Sequence, residues 1–293
     1  MPGLQELKAD LQINSELTEI VDALKVVAVS EFWQLDEKRK ERSSTFLEAF
    51  EGFFRMLDFS SIEHPFARDK TGKLTLIILT SDERFMGGLN KRIVDTALEY
   101  PSADSAEIAV VGIQGADYLR TLQREHTHFD DLTSRKPFEA VSGLRDFVIE
   151  KGRKGEMGRL VIIYPKPVSF LIQTVEALPV LPCTELLFLE KRELRKRRLI
   201  LEAGEEVICD STLEQLIEYL VRAWIAEKFI EVFEDARQAE LSAKAVRLEE
   251  SHEGLESRRD NLTHQYHRTH HEMLDKGMRE TFSAQVMRRG NAG

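Results

Sequence analysis

Apolar residues near the start of the chain recur at a spacing close to 3.5. Leu4, Leu7, Leu11, Leu17, Val21, Leu24, Ala28, Phe32 and Leu35 form the row, with one slip around Asn14. That period predicts a coiled-coil seam rather than the broad apolar face of a globular helix. No proline interrupts Gly3 to Ile62, and glycine occurs there only at Gly3 and Gly52. The helix is expected to end between Leu57 and Ser60, ahead of the break at His64-Pro65.

The far end of the chain carries the same period. Leu241, Leu248, Leu255 and Leu262 are spaced by seven, Ala245, His252, Arg259 and Tyr266 take the companion positions, and Met273 continues the row. Proline is absent after Pro182, and Ser211 to Arg289 reads as one helix. About 79 residues of helix span roughly 115–120 Å, against about 8–20 residues for an ordinary globular helix. Such a helix needs a partner of similar length, and the N-terminal segment offers one. A sustained seven-residue repeat imposes a left-handed supercoil on the pair. Asp210 or Ser211 is the expected N-cap, with Glu214 completing a capping box after Ser211. His252 and Arg259 are costly in a dry seam. There the helix either fixes its register or runs past its partner to meet another surface.

Between the two ends the period changes. Lys73–Thr80 (KLTLIILT) is a β-branched run of the kind buried on both sheet faces, and Glu107–Gly112 and Arg159–Tyr164 repeat it. Helical stretches at Leu89–Tyr100, Ala116–Arg124 and Pro137–Lys151 separate them. Strands alternating with helices predict a parallel sheet with helices on its faces. Ser169–Leu181 and Glu185–Glu190 read as further strands, a hairpin at the sheet edge, and Leu199–Cys209 as a last strand pair bent at Gly204. The fold class is α/β: a long antiparallel two-helix coiled coil from the terminal segments with an inserted Rossmann-like α/β domain. The expected divisions are 1–62, 63–209 and 210–293.

Composition adds boundaries rather than a function. Net charge is −10, which argues against nucleic acid as the main partner. Two cysteines, Cys183 and Cys209, make no disulfide framework and suit a reduced cytosolic setting. The polar N-terminus lacks the apolar run of a signal peptide. No stretch approaches 18 apolar residues, so any membrane role is expected to pass through a partner.

Four places could carry chemistry. Ser81–Asn90 (SDERFMGGLN) follows the first strand and opens a helix, which is where phosphates bind in α/β sheets. Gly87-Gly88 is neither a dinucleotide fingerprint nor a P-loop, so a tight strand-to-helix turn is the favoured reading. His264, His267 and His271 share a helical face at ligand-like spacing, with His270 beside them. A solvated face is the commoner use of such a cluster, and Asp275 stands where a zincin would have its second histidine. Lys191–Arg198 (KRELRKRR) is basic enough to touch anionic headgroups or acidic loops, though a solvated loop is more ordinary. Glu249, Glu250, Glu253 and Glu256 form an acidic band that reads as solvated. No spacing selects a nucleophile, base and acid together.

Three stretches resemble the gamma subunit of rotary F-type ATP synthases. Val26–Ser30 (VVAVS) resembles that family's M-V-A-A-S segment. Ser81–Asn90 resembles its S-D-R-G-L-C-G-G-L-N, with Gly87, Gly88, Leu89 and Asn90 in place. Asp235–Leu248 (DARQAELSAKAVRL) resembles its A-S-E-x-A-A-R-M-x-A-M. The order of long helix, α/β domain and long helix also agrees. The resemblance implies family-motif or interface roles for Val27, Ala28, Ser30, Ser81, Asp82, Gly87, Gly88, Leu89, Asn90, Ala236, Ala239, Ala243, His252, Arg259 and Tyr266. Glu83 stands at the family's arginine position, Met86 replaces its common cysteine, and Glu31, Phe32 and Trp33 replace basic residues. After Tyr266 the family's contact signature is lost to HRTHHEMLDKG.

The resemblance implies a non-catalytic rotor shaft, a divergent or alternate-type member, that binds no cofactor or metal itself. ATP or ADP with Mg would sit on partner subunits. Those partners would be the alpha and beta subunits of the catalytic hexamer, the epsilon subunit and the c-ring, with no nucleic acid. The chain would lie peripherally on the cytoplasmic face, touching the membrane only through the complex. The C-terminal helix would outlast its partner by about 20 residues, roughly 30 Å, and enter the hexamer unpaired. The rival reading is a stand-alone α/β ligand-binding protein or enzyme dimerised through its terminal helices. A tether like the V-type central stalk is a second rival, opposed by the Lys73–Glu190 block.

Overall fold

A computed structural model describes residues 3–54, 73–83, 86, 88–129, 137–183 and 212–290, with side chains at all of these except 38–54, 137–140, 213, 214, 217 and 285–290. Two helices dominate it: α1 (Leu4–Phe54) and α5 (Leu213–Gly290), of 51 and 78 residues. Between them lie β1 (Leu74–Leu79), α2 (Leu89–Leu98), β2 (Glu107–Val111), α3 (Ile113–Thr121), β3 (Thr127–Phe129), α4 (Pro137–Arg153), β4 (Arg159–Pro167) and β5 (Gln173–Leu181). The chain divides into two compact units, Met1–Ala28 with Ala245–Gly293, and Val29–Lys244.

In the larger unit the five strands run in the order β3-β2-β1-β4-β5. β1 pairs in parallel with β2 and β4, and β3 extends the parallel part beyond β2. β5, which falls within the expected strand Ser169–Leu181, closes the other edge antiparallel to β4 rather than to the expected partner strand at 185–190. All six residues of β1 are buried. Their alternation feeds two cores. Ile77 and Leu79 face Val141, Leu144 and Val148 of α4 and Ile225, Phe229 and Phe233 of α5. Leu74, Leu76 and Ile78 face Leu89, Ile93 and Val94 of α2 and Ala116 and Leu119 of α3. A sheet covered on both faces explains why its strands read as unbroken apolar runs.

The smaller unit is an antiparallel helix pair, as its cross-contacts require. Asn14 meets Leu255, Asp22 meets His252, and Lys25 meets Glu249. The buried positions of α1 correct the sequence reading. There is no slip at Asn14: it lies in the seam, 2% exposed, between buried Leu7 and Ala28. Leu17 and Leu24 are exposed instead, while Thr18 and Lys25 are half-buried beside the seam. A strict period of 3.5 runs through those polar residues and leaves the two leucines on another face.

The cap of α5 is also displaced by one residue. Thr212 Oγ1 accepts from Gln215 N at 3.4 Å and Gln215 Oε1 accepts from Thr212 N at 3.3 Å, so Thr212 and Gln215 form the capping box. Asp210 and Ser211 lie outside the described residues, as do the expected strands at 185–190 and 199–209, the basic run at 191–198 and the expected end of the N-terminal helix. Among the described residues no helix is long and apolar enough to cross a membrane.

Candidate functional site at the glycine turn and the long helices

Among the described residues where β1 leads into α2, a web of local bonds holds Ser81, Asp82, Glu83 and Asn90. Ser81 is buried; its N–H donates to Asn90 Oδ1 at 3.1 Å and its Oγ accepts from Glu83 N at 3.0 Å. Asn90 Nδ2 returns to Glu83 O at 3.5 Å. Asp82 Oδ1 accepts from Ile113 N at 2.7 Å, in the first turn of α3, and Asp82 O accepts from Gln114 Nε2 at 3.3 Å. Gly88 holds φ 82 as the N-cap of α2, a conformation glycine adopts without steric cost. Leu89 is 1% exposed and anchors the helix start. Gly87 lies outside the described residues.

Thr80 ties this turn to the next. Its Oγ1 donates to Val111 O at 2.6 Å and accepts from Gly115 N at 3.1 Å. At Gly112, φ is 90 and a Cβ would sit 2.3 Å from Thr80 O, so the strand-to-helix crossing needs glycine there twice over. At the start of α3 the first three N–H groups, of Ile113, Gln114 and Gly115, donate to Asp82 Oδ1, Ser81 O and Thr80 Oγ1, so the chain's own oxygens occupy donors that could otherwise meet a phosphate there. Asp82 already places a carboxylate at the start of α3. The arrangement is a joint between β1, α2 and α3.

The joint is coupled to α5. Glu83 Oε2 lies 2.9 Å from Lys244 Nζ. Ala236, Ala239 and Ala243 are buried at 2%, 0% and 9%, small enough to let neighbouring elements approach α5 closely. Arg237 pairs with Glu31 of α1 at 3.4 Å, and Gln238 Nε2 donates to Asp36 Oδ1 at 3.3 Å. Phe170, in the β4–β5 loop, meets Phe32 edge-on at 5.0 Å and stacks on Trp33 at 6.5 Å. Ser242 Oγ donates to Phe170 O and accepts from Gln173 Nε2. Burial, with Asp235 next in effect, pushes the Tyr164 phenol well above its usual range. Sequence reasoning missed the Phe170, Phe32 and Trp33 cluster and the Glu83–Lys244 pair, because neither has a local signal.

The remaining motif residues lie along the helices. Ala28 is buried at 1%, whereas Val27 is exposed at 53% and Ser30 is also exposed. His252 is half-buried with Nε2 3.4 Å from Asp22 Oδ1. Beside it the hydrogen bond between Lys25 and Glu249 raises the lysine and holds the glutamate below its usual range. Arg259 is not a seam residue: its side chain is 53% exposed, beside Glu256 and Asp260. Met273, expected to continue the row, is 56% exposed. Tyr266 stacks on His270 at 6.1 Å. Among the described residues no three His, Cys, Asp or Glu side chains converge in metal-binding geometry, so His264, His267 and His271 form no such site. From residue 271 to residue 284 every side chain of α5 is exposed. Here the helix has outrun its partner.

The chain is similar to known proteins over nearly its full length. The ATP synthase family model covers residues 3–283. An ATP synthase gamma chain of Clostridium kluyveri is 22% identical over 274 residues, covering 91% of each chain. Another from Streptococcus gordonii is 24% identical over 277 residues, covering 91% of this chain and 92% of that one. A chain in a structure of the Euglena gracilis mitochondrial ATP synthase, described as OSCP/F1/c-ring, shares the fold with a TM-score of 0.64 at 15% identity. It covers 99% of this chain and is itself covered over 96%. With this match spanning both long helices and the inserted sheet, the chain belongs to the ATP synthase gamma family.

Proposed function

We propose that the chain turns as the central shaft of a rotary ATP synthase, carrying c-ring rotation to the nucleotide sites of an alpha–beta hexamer. The observation that carries this reading is α5, 78 unbroken residues of one helix. Its early part is packed among sheet and helices, and its last part is bare. A long exposed helix end is what a shaft inside a ring requires. The Euglena mitochondrial structure, which pairs OSCP and F1 with a c-ring, supports the same assembly.

The mechanism asks for no bond chemistry from this chain. Rotation presents different faces of an asymmetric shaft to each ring subunit in turn. Nucleotide affinity then changes only as far as those contacts differ in free energy between open and closed subunits. The ties of α1 to α5 and of α5 to the glycine turn would carry torque from the sheet into the helix pair. ATP, ADP and Mg belong to the alpha and beta subunits in this reading. The epsilon subunit and c-ring would meet the unit built on the sheet, on the cytoplasmic face of the membrane.

Native mass spectrometry of the complex purified through a tag on this chain tests the proposal. One copy per three alpha and three beta subunits is the expected stoichiometry. A stable homodimer that binds nucleotide without partners would overturn it.

A further inference from the structure

A second apolar row runs along α1, separate from the seam that packs on α5. Ile13, Leu17, Ile20, Leu24 and Val27 follow one another at steps of four, three, four and three, and they are 54%, 42%, 55%, 45% and 53% exposed. Two heptads of large aliphatic residues in water are unusual for a finished surface, where such residues normally stand singly. The spacing is that of a helix-pairing seam. The borders are acidic. At 100° per residue, Glu6, Asp10 and Glu16 lie within about 60° of the row's midline, and Lys8 lies about 140° away. The other lysine of this stretch, Lys25, is bonded to Glu249 across the buried seam. Among the described residues Glu6 and Glu16 make exposed local bonds, to Gly3 N and Gln12 Nε2.

We infer that this face of α1 is a docking surface for an amphipathic helix whose apolar stripe is bordered by lysine or arginine, belonging to a subunit of the surrounding ring. The inference rests on the rotor reading and adds the chemistry of the partner surface. Apolar area supplies the contact, and opposite charge selects the partner and its orientation. Leu17 and Leu24, 42% and 45% exposed in this chain, would then be covered by the partner.

Photo-crosslinking in the complete complex tests it, with benzoylphenylalanine at position 20. The expected product joins that position to a ring-subunit helix that carries Lys or Arg beside its apolar positions. Two variants accompany it. Leu17→Glu with Leu24→Glu should lower retention of the chain in the complex at least tenfold and leave the melting of the isolated full-length chain unchanged. Glu6→Lys with Glu16→Lys should weaken the complex at low salt and flatten its salt dependence. A cross-link to an acidic or non-helical segment, or charge reversal without effect, would overturn the inference while leaving the rotor reading intact. So would a dimer of the isolated chain that the double glutamate variant dissolves. Failure of the wild-type chain to assemble with any ring would instead remove the rotor reading itself.

Discussion

Residues 220–243 and 271–284 belong to the same unbroken helix yet live in opposite environments. The first stretch is buried over most of its circumference: Leu220, Trp224, Ile225, Phe229, Val232, Phe233, Ala236 and Ala239 all fall at 4% exposure or less. Even Asp235, Gln238, Glu240 and Ser242 are buried there. The second stretch buries nothing, although Leu274, Met278 and Phe282 are large and apolar. Propensity does not separate the two, because both are helical. Tertiary contact does. One part of the helix is fixed by its own chain, and the other meets no surface among the described residues.

The largest effect should come from testing that contrast directly. Phe229→Ala removes a ring with no exposed surface and should cost about 3–5 kcal/mol in urea unfolding. Phe282→Ala, at 70% exposure, should stay within about 0.5 kcal/mol. Equal losses would mean that the overhang packs on this chain after all. Next comes Gly112→Ala, whose Cβ would fall 2.3 Å from Thr80 O at φ 90. A loss of about 2 kcal/mol or more is expected, because both the backbone and the β1–β2 crossing must shift. An unchanged midpoint would show that the turn has slack.

Much of this architecture was legible in the chain, for identifiable reasons. Strands β1, β2 and β4 are buried on both faces, so they read as continuous β-branched runs. The long helices announced themselves through missing prolines and steps near 3.5. Other features have no local signal. β3 is three edge residues, Thr127, His128 and Phe129, only the last of them half-buried. α3 starts at Ile113 rather than Ala116 because Asp82, thirty-one residues earlier, bonds its first N–H. Gly112 and Gly115 look like turn residues until Thr80 is placed against them. The α1 seam was misplaced because leucine was preferred to asparagine, when the buried position belonged to Asn14. The glycine turn was legible as a joint, but its link to Lys244 appears only once α5 is packed beside it.

Smaller tests address the paired part of the helices. Asn14 donates to Leu255 O at 3.0 Å, but its Oδ1 is buried without a hydrogen bond. Asn14→Leu should therefore raise stability by about 1 kcal/mol, read as a higher melting temperature. A drop instead would show that the amide contributes more than its unpaired oxygen costs. The smallest effect concerns pH. The hydrogen bond from Lys25 holds Glu249 below the ordinary carboxylate value of 4.5. A depressed carboxylate contributes stability above its unfolded value and loses it as pH falls through the folded one. The advantage of the wild-type chain over Glu249→Gln should be full above pH 4.5 and shrink below it. An advantage that grows toward acid would reverse the assignment.

The central claim is that this chain moves as a shaft and performs no nucleotide chemistry itself. A probe attached to the sheet-bearing unit of a surface-immobilised complex of this chain with its alpha–beta ring measures this most directly. On adding MgATP the probe should rotate continuously in one direction, and the isolated chain should show no ATP turnover. A stationary probe on a ring that hydrolyses ATP with this chain bound, or turnover by the chain alone, would contradict the account.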